Sequence, residues 1–143
     1  MKIRPLSITD YDVVTSLFQG TEGLTFREAD SKQATQRYLE RNPGLSFVAI
    51  VENEIIGCVM AGHDGRRGYL QHLVVLPPYR SKGIARELVS AALSALSEIG
   101  IHKTHCFAFV DNALAHRFWK QMGWERRDQT VMYSYNMSNN PNI

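Results

Sequence analysis

The chain has 143 residues, of which 44% are apolar and 21% charged, with a formal net charge of +2. That length supports one domain with a real core and is too short for two ordinary ones. A charge so near balance is too small to imply nucleic acid or an anionic membrane as the main partner. No apolar run reaches membrane-spanning length, and Met1-Lys2-Ile3-Arg4-Pro5 lacks a signal-peptide core, so a cytoplasmic protein is expected.

Lys2 to Leu6 reads as a first strand. A helix follows from Asp10 to Phe18, capped by Ser7 or Thr9, with Val13, Val14, Leu17 and Phe18 on one face. Gln19 to Arg27 reads as a loop, and Asp30-Ser31-Lys32-Gln33 resembles a capping box. The helix it opens should run to about Arg41, stopped by Asn42-Pro43-Gly44. Phe47–Val51, Ile55–Ala61 and Tyr69–Leu76 form an antiparallel meander, turned at Glu52-Asn53-Glu54 and at Asp64-Gly65. A long helix from about Ile84 to Glu98 ends at Gly100. It leads to a strand, Thr104 to Val110, that a βαβ crossover makes parallel to the one before the helix. A helix from Ala113 to Met122, a last strand from Val131 to Met137 and a polar tail complete the chain. Residues 1–137 are thus expected to be a single domain, with 138–143 disordered.

Cys58 and Cys106 lie in apolar runs, which favours buried reduced thiols over a disulfide or a nucleophile. The five histidines scatter without ligand spacing. His102, His105 and Cys106 have no second cluster to complete a zinc set, so no metal is expected.

The segment richest in chemistry is Tyr79-Arg80-Ser81-Lys82-Gly83-Ile84-Ala85. An apolar strand ends before it, at Pro77-Pro78, and helical spacing begins after it, at Leu88, Val89, Ala92, Leu93 and Leu96. Backbone N–H groups and the positive end of a helix dipole therefore converge, the arrangement that binds phosphate. Arg80 and Lys82 add charge, and Gly83 removes a Cβ from the path of approach.

Arg80-x-x-Gly83-x-Ala85 resembles the (Arg or Gln)-x-x-Gly-x-(Gly or Ala) pyrophosphate loop of GNAT-type N-acetyltransferases. A second block, Val110-Asp111-Asn112-Ala113 with Phe118-Trp119-Lys120-Gln121-Met122-Gly123-Trp124, is similar to that family's strand, Asn-x-x-Ala helix start and closing Leu-Gly-Phe. The resemblance implies an α/β (α+β) fold of the GNAT acyl-CoA N-acyltransferase type. Its mixed central sheet has an antiparallel meander, a splayed parallel central pair and flanking helices. It also implies acetyl-CoA as cosubstrate. By resemblance, the pantetheine arm pairs with backbone groups of Leu73, Val74 and Val75, the N–H of Val74 or Val75 points at the thioester carbonyl, and Arg80, Ser81, Lys82, Gly83, Ile84 and Ala85 hold the pyrophosphate. Asn112 caps its helix and reaches the cofactor arm.

Many members place a Tyr four residues before the closing Gly as general acid, where this sequence has Trp119. An indole N–H donates a hydrogen bond but gives up no proton at useful pH, so Trp119 either packs against the cofactor, as a cofactor-binding residue, or, in the favoured reading, is core or pocket wall. Tyr79 and Tyr69 are the phenols available near this strand and loop, or the leaving sulfur takes its proton from the amine or water. Candidates for the base lie on the strand before the loop. Gln71 and Tyr69 share the face of Leu73, where the family places Glu or His, but Gln71 can only position a water. His72 has the right chemistry, yet alternation turns it to the other layer as a structural histidine unless a bulge re-aims it. Arg66 and Arg67, at the far end of the same strand by about 20 Å, either hold an anionic group of the acceptor or form a solvated hairpin tip.

The resulting reading is an acetyl-CoA-dependent N-acetyltransferase acting on a small-molecule amine, with no nucleic acid or membrane partner, as a monomer or homodimer. A protein N-terminus or lysine as acceptor, and a non-catalytic acyl-CoA-binding regulatory module, are the alternatives.

Overall fold

The computed structural model describes residues 1–21 and 26–143, so part of the loop read from Gln19 to Arg27 lies outside the described residues. It contains two compact units, Met1–Phe107 and Ala108–Ile143. The first is built on a five-stranded mixed sheet in the order β1 (Lys2–Pro5), β2 (Phe47–Val51), β3 (Glu54–His63), β4 (Gly68–Val75), β5 (Thr104–Cys106). The pairs β1–β2, β2–β3 and β3–β4 are antiparallel, and β4–β5 is parallel. Glu52 and Asn53, with φ of 50° and 66°, turn β2 into β3. Left-handed conformation at both central residues matches the twist of a two-residue hairpin.

Helices cover both faces. α1 (Tyr11–Gln19) and α2 (Lys32–Arg41) lie on one face, where Val14, Leu17 and Phe18 pack with Leu6, Val48, Cys58, Met60 and Val74. α3 (Ile84–Glu98) covers the other, burying Leu88, Val89, Ala92 and Leu96 completely. Each buried leucine or valine stabilises the fold by about 1.5–3 kcal/mol through lost apolar hydration. Glycine lets β3 and β4 approach beneath α3. A Cβ at Gly57 would sit 2.8 Å from the Val74 carbonyl oxygen, and one at Gly68 2.6 Å from Thr104 Oγ1.

Two helix starts differ in detail from the sequence pattern. Ser7 caps a short 3-10 turn, Ile8–Asp10, that precedes α1. Ser31 is the N-cap of α2, accepting from the Ala34 N–H at 3.2 Å. Asp30, read as part of that cap, instead accepts the Arg27 N–H at 2.8 Å and closes its own turn, Glu28–Asp30. Asn42, at the end of α2, is buried and structural: its side chain donates to the Tyr38 carbonyl and accepts the His63 N–H.

The second unit contains α4 (Ala113–Gln121), capped by Asn112 Oδ1, which accepts the Ala115 N–H at 3.1 Å. The strand expected from Thr104 to Val110 stops at Cys106. The strand expected from Val131 to Met137 does not form a ladder among the described residues. Its alternating side chains carry the strand period, but a strand also needs a neighbour's backbone groups, which periodicity does not supply.

Candidate functional site

The site is organised by the unequal lengths of β4 and β5. β5 pairs with Gly68, Tyr69 and Leu70 only, while β4 continues through Gln71 to Val75. Among the described residues, the outer edge of that continuation has no strand beside it. The Leu76 N–H donates to the Ile56 carbonyl on the β3 side at 2.9 Å. Alternation therefore turns the backbone N–H and C=O of Val75 to the open edge. The family resemblance expects open backbone groups at Leu73, Val74 and Val75; by this alternation those of Val75 face the open edge, while those of Val74 face β3, where Val74 pairs with Cys58. The side chains of Val74 and Val75 meanwhile stay in the core.

Midway along this edge lies a bulge. Gln71 pairs with Met60 and Val74 with Cys58, so His72 and Leu73 together oppose Val59. His72 has φ of +48°, in the left-handed region that histidine enters more readily than most residues. The bulge overturns the alternation expected at this point. Gly68 faces Leu96 of α3, and unbroken alternation would put His72 on that same face. Instead its ring packs tilted against that of Phe18 of α1, centroids 4.5 Å apart and planes 32° off parallel, and its Nε2 lies 2.7 Å from Asp30 Oδ1. Its side chain is 18% exposed and that of Asp30 12%. Sequence reading missed Asp30, which stands 42 positions away and looked like an ordinary helix cap.

The loop after β4 opens onto α3. Pro77–Tyr79 forms a 3-10 turn, Ser81 has φ of +62°, and Gly83, the N-cap of α3, has φ of +81°. No side chain caps this helix, and Glu87 is the first residue whose N–H returns to Gly83, so the N–H groups of Ile84, Ala85 and Arg86 have no partner within the helix. A Cβ at Gly83 would meet nothing within 4 Å, so the space over the helix start is open. Arg80 Nε donates to the Val75 carbonyl at 2.8 Å, tying the loop to the strand end. Lys82 Nζ stands 5.9 Å from the Tyr79 ring centroid. Ile84 buries its side chain, leaving its backbone for the loop.

Elsewhere the candidates are dispersed. Tyr69 stacks on Phe107, centroids 6.3 Å apart and planes 10° off parallel, and lies 5.8 Å from His105. Gln71 is exposed. Arg66 and Arg67 form the exposed tip of the β3–β4 hairpin, where Asp64 Oδ1 accepts both their N–H groups at 2.8 Å. Those backbone bonds hold the Asp64 carboxyl below its ordinary pKa. In the second unit, Trp119 packs on Trp124 at 4.5 Å and edge-on to Phe118 at 4.9 Å. Both thiols are free. Burial pushes the Cys58 thiol strongly up and Cys106 to about 11, which removes them as nucleophiles.

A mixed sheet whose parallel pair ends early, with an uncapped helix start after the longer strand, is the α/β arrangement in which comparison with known proteins places the chain. The model of the acetyltransferase (GNAT) family matches residues 12–124, and the chain belongs to this family of acetyltransferases. An acetyltransferase of Pectobacterium atrosepticum is 33% identical over 128 residues, 90% of each chain. The PaiA N-acetyltransferase of Thermoplasma acidophilum, solved in complex with coenzyme A, superposes with a TM-score of 0.79 at 21% identity, covering 89% of this chain and 91% of that one. An aminoglycoside 6'-N-acetyltransferase from Acinetobacter haemolyticus gives a TM-score of 0.76 at 20% identity, over 96% and 100% of the two chains. At those identities the likeness to solved structures is one of fold.

Proposed function

We propose that this chain is an acetyl-CoA-dependent N-acetyltransferase that transfers an acetyl group directly to the primary amine of a small metabolite, using residues 1–137 as one catalytic domain. The observation that carries the reading is the start of α3. After two left-handed residues, Ser81 and Gly83, the uncapped N–H groups of Ile84, Ala85 and Arg86 open α3, in the loop that follows a strand edge its neighbour has left. A pyrophosphate fits there by charge and by donor count. That the PaiA structure was solved with coenzyme A supports the same ligand for this fold.

Acetyl-CoA supplies an acyl carbon already activated as a thioester. The chain's residues do the rest. Val75 offers its N–H at the open edge to the pantetheine arm or the thioester oxygen. Arg80 holds the loop against that edge through the Val75 carbonyl and keeps its terminal guanidinium nitrogens for phosphate. Lys82, Ser81, Gly83, Ile84 and Ala85 complete the anion site, and the family pattern assigns Asn112 to the cofactor arm. His72, re-aimed by the bulge, accepts a proton from the acceptor ammonium and leaves a neutral amine. The amine nitrogen then forms its bond to the acyl carbon as the C–S bond breaks. Its second proton goes to the departing sulfur, which needs no acid at Trp119. Gln71 and Tyr69 border the same strand and orient the acceptor or a water.

The small-molecule acceptor is favoured over a peptide by analogy with the aminoglycoside enzyme of the same fold, but Arg66 and Arg67 point to an amine with an anionic group rather than to a polycation such as an aminoglycoside. The test is a thiol-release assay with acetyl-CoA and a panel of amino acids, polyamines, aminoglycosides and peptides. Turnover of a small amine supports the reading. Turnover of peptides alone moves it to the protein-acetylating class, and none at all leaves the non-catalytic binding module.

A further inference from the structure

Asp30 is held more firmly than a helix cap requires. Its Oδ2 accepts the Arg27 N–H at 2.8 Å, its backbone carbonyl accepts the Tyr11 hydroxyl at 2.8 Å, and Ser31, next in the chain, caps α2. The turn is therefore fixed to α1 and α2 at once. From it Oδ1 meets His72 Nε2 at 2.7 Å, across the face of the sheet. The other side of the imidazole is set by Phe18, whose ring limits rotation. The His72 backbone is fixed too, since Cys58 Sγ lies 3.7 Å from its carbonyl oxygen and the bulge pins its φ. Among the described residues, the titratable groups around this ring include the Asp30 carboxylate, the Cys58 thiol and, beyond Asp30, the Tyr11 hydroxyl, which burial pushes up.

A carboxylate is an acceptor only, so a neutral His72 must carry its hydrogen on Nε2. Its lone pair is then on Nδ1, which has no hydrogen-bond partner among the described residues. We infer that Asp30 is a positioning residue that fixes His72 in the Nε2–H tautomer and so presents Nδ1 as the proton-accepting atom. The inference rests on the proposed role of His72 and extends it to a second element, the turn before α2. In proton terms, Nδ1 takes one proton from the acceptor ammonium and Nε2–H stays bonded to Asp30. The imidazolium so formed is stabilised by the carboxylate and returns its proton to water after transfer. Removing the carboxylate frees the ring to adopt the other tautomer, with Nδ1 blocked by hydrogen.

The test has two arms. Long-range ¹H–¹⁵N spectra of the intact protein at alkaline pH report which nitrogen of His72 is protonated, with no substrate needed. The expected result is hydrogen on Nε2 in the wild type and a mixture of tautomers in Asp30→Asn. An Nδ1–H tautomer in the wild type, or an unchanged ring in Asp30→Asn, overturns the inference. In the second arm, with the amine turned over fastest in the panel, Asp30→Asn should lower kcat by about tenfold to a hundredfold while acetyl-CoA affinity and Tm hold. His72→Asn, which tolerates the left-handed backbone, should cost at least as much. Adding Asp30→Asn to it should cost nothing further, because both act through one proton acceptor. Additive losses would mean that Asp30 acts through the fold alone. Full activity in His72→Asn would instead remove His72 as the base, a failure separate from that of Asp30.

Discussion

Arg80 Nε lies 2.8 Å from the carbonyl oxygen of Val75, so the loop that starts α3 is fastened to the strand edge proposed to carry the thioester. One side chain thereby ties together the two halves of the proposed cosubstrate site. Arg80→Lys keeps the charge but cannot hold the carbonyl and reach phosphate together. It should weaken acetyl-CoA binding about tenfold, the loss expected for one charge-assisted hydrogen bond. Calorimetric titration checks this, and Tm without ligand should barely change.

Gly83 takes φ of +81°, and a Cβ there would meet open space. Gly83→Val should strain the backbone by about 1–2 kcal/mol and fill the space proposed for the pyrophosphate. The variant should remain folded by circular dichroism and lose acetyl-CoA binding. Retained affinity would mean that the phosphates lie elsewhere.

This position was legible in the sequence because a strand end, Gly83 and a helical repeat are local signals. So were the meander, the crossover and α3. The aim of His72 was not legible. It depends on one extra residue in β4 that shifts every later side chain to the opposite face, and a bulge leaves no mark on the alternating pattern of Leu70, His72 and Val74. The Asp30–His72 contact joins residues that only the folded sheet brings together. Val131 to Met137 failed in the opposite direction, as a clear period without a partner strand.

Trp119 packs on Trp124 and Phe118 and has no proton to give. Trp119→Phe should keep the transfer rate within about tenfold, since it loses packing and no acid. A fall of several orders of magnitude with unchanged acetyl-CoA affinity would contradict the account of the leaving group's proton.

Asp10 carries the clearest pH-dependent stability. The Arg4 guanidinium, bonded to both its oxygens at 2.8 Å, and the Ser7 N–H hold its carboxyl below the ordinary range against the opposing effect of burial. A carboxyl depressed by folding stabilises the folded state above its unfolded pKa of about 3.9, and that gain is lost as pH falls through the depressed value. Arg4→Gln should therefore lower stability by about 1 kcal/mol at neutral pH, and by far less in strong acid. Urea unfolding at the two pH values measures the difference, and an equal loss at both would show that packing, not charge, is at stake.

The central claim is that the open edge of β4 and the start of α3 form one acetyl-CoA site, and ligand-induced thermal stabilisation of the intact chain tests it most directly. Acetyl-CoA and CoA at about a hundred times Kd should each raise Tm by roughly 5–10 °C. ATP, which lacks the pantetheine arm, should raise it much less, and Gly83→Val should abolish all three shifts. No shift with acetyl-CoA or CoA would contradict the account.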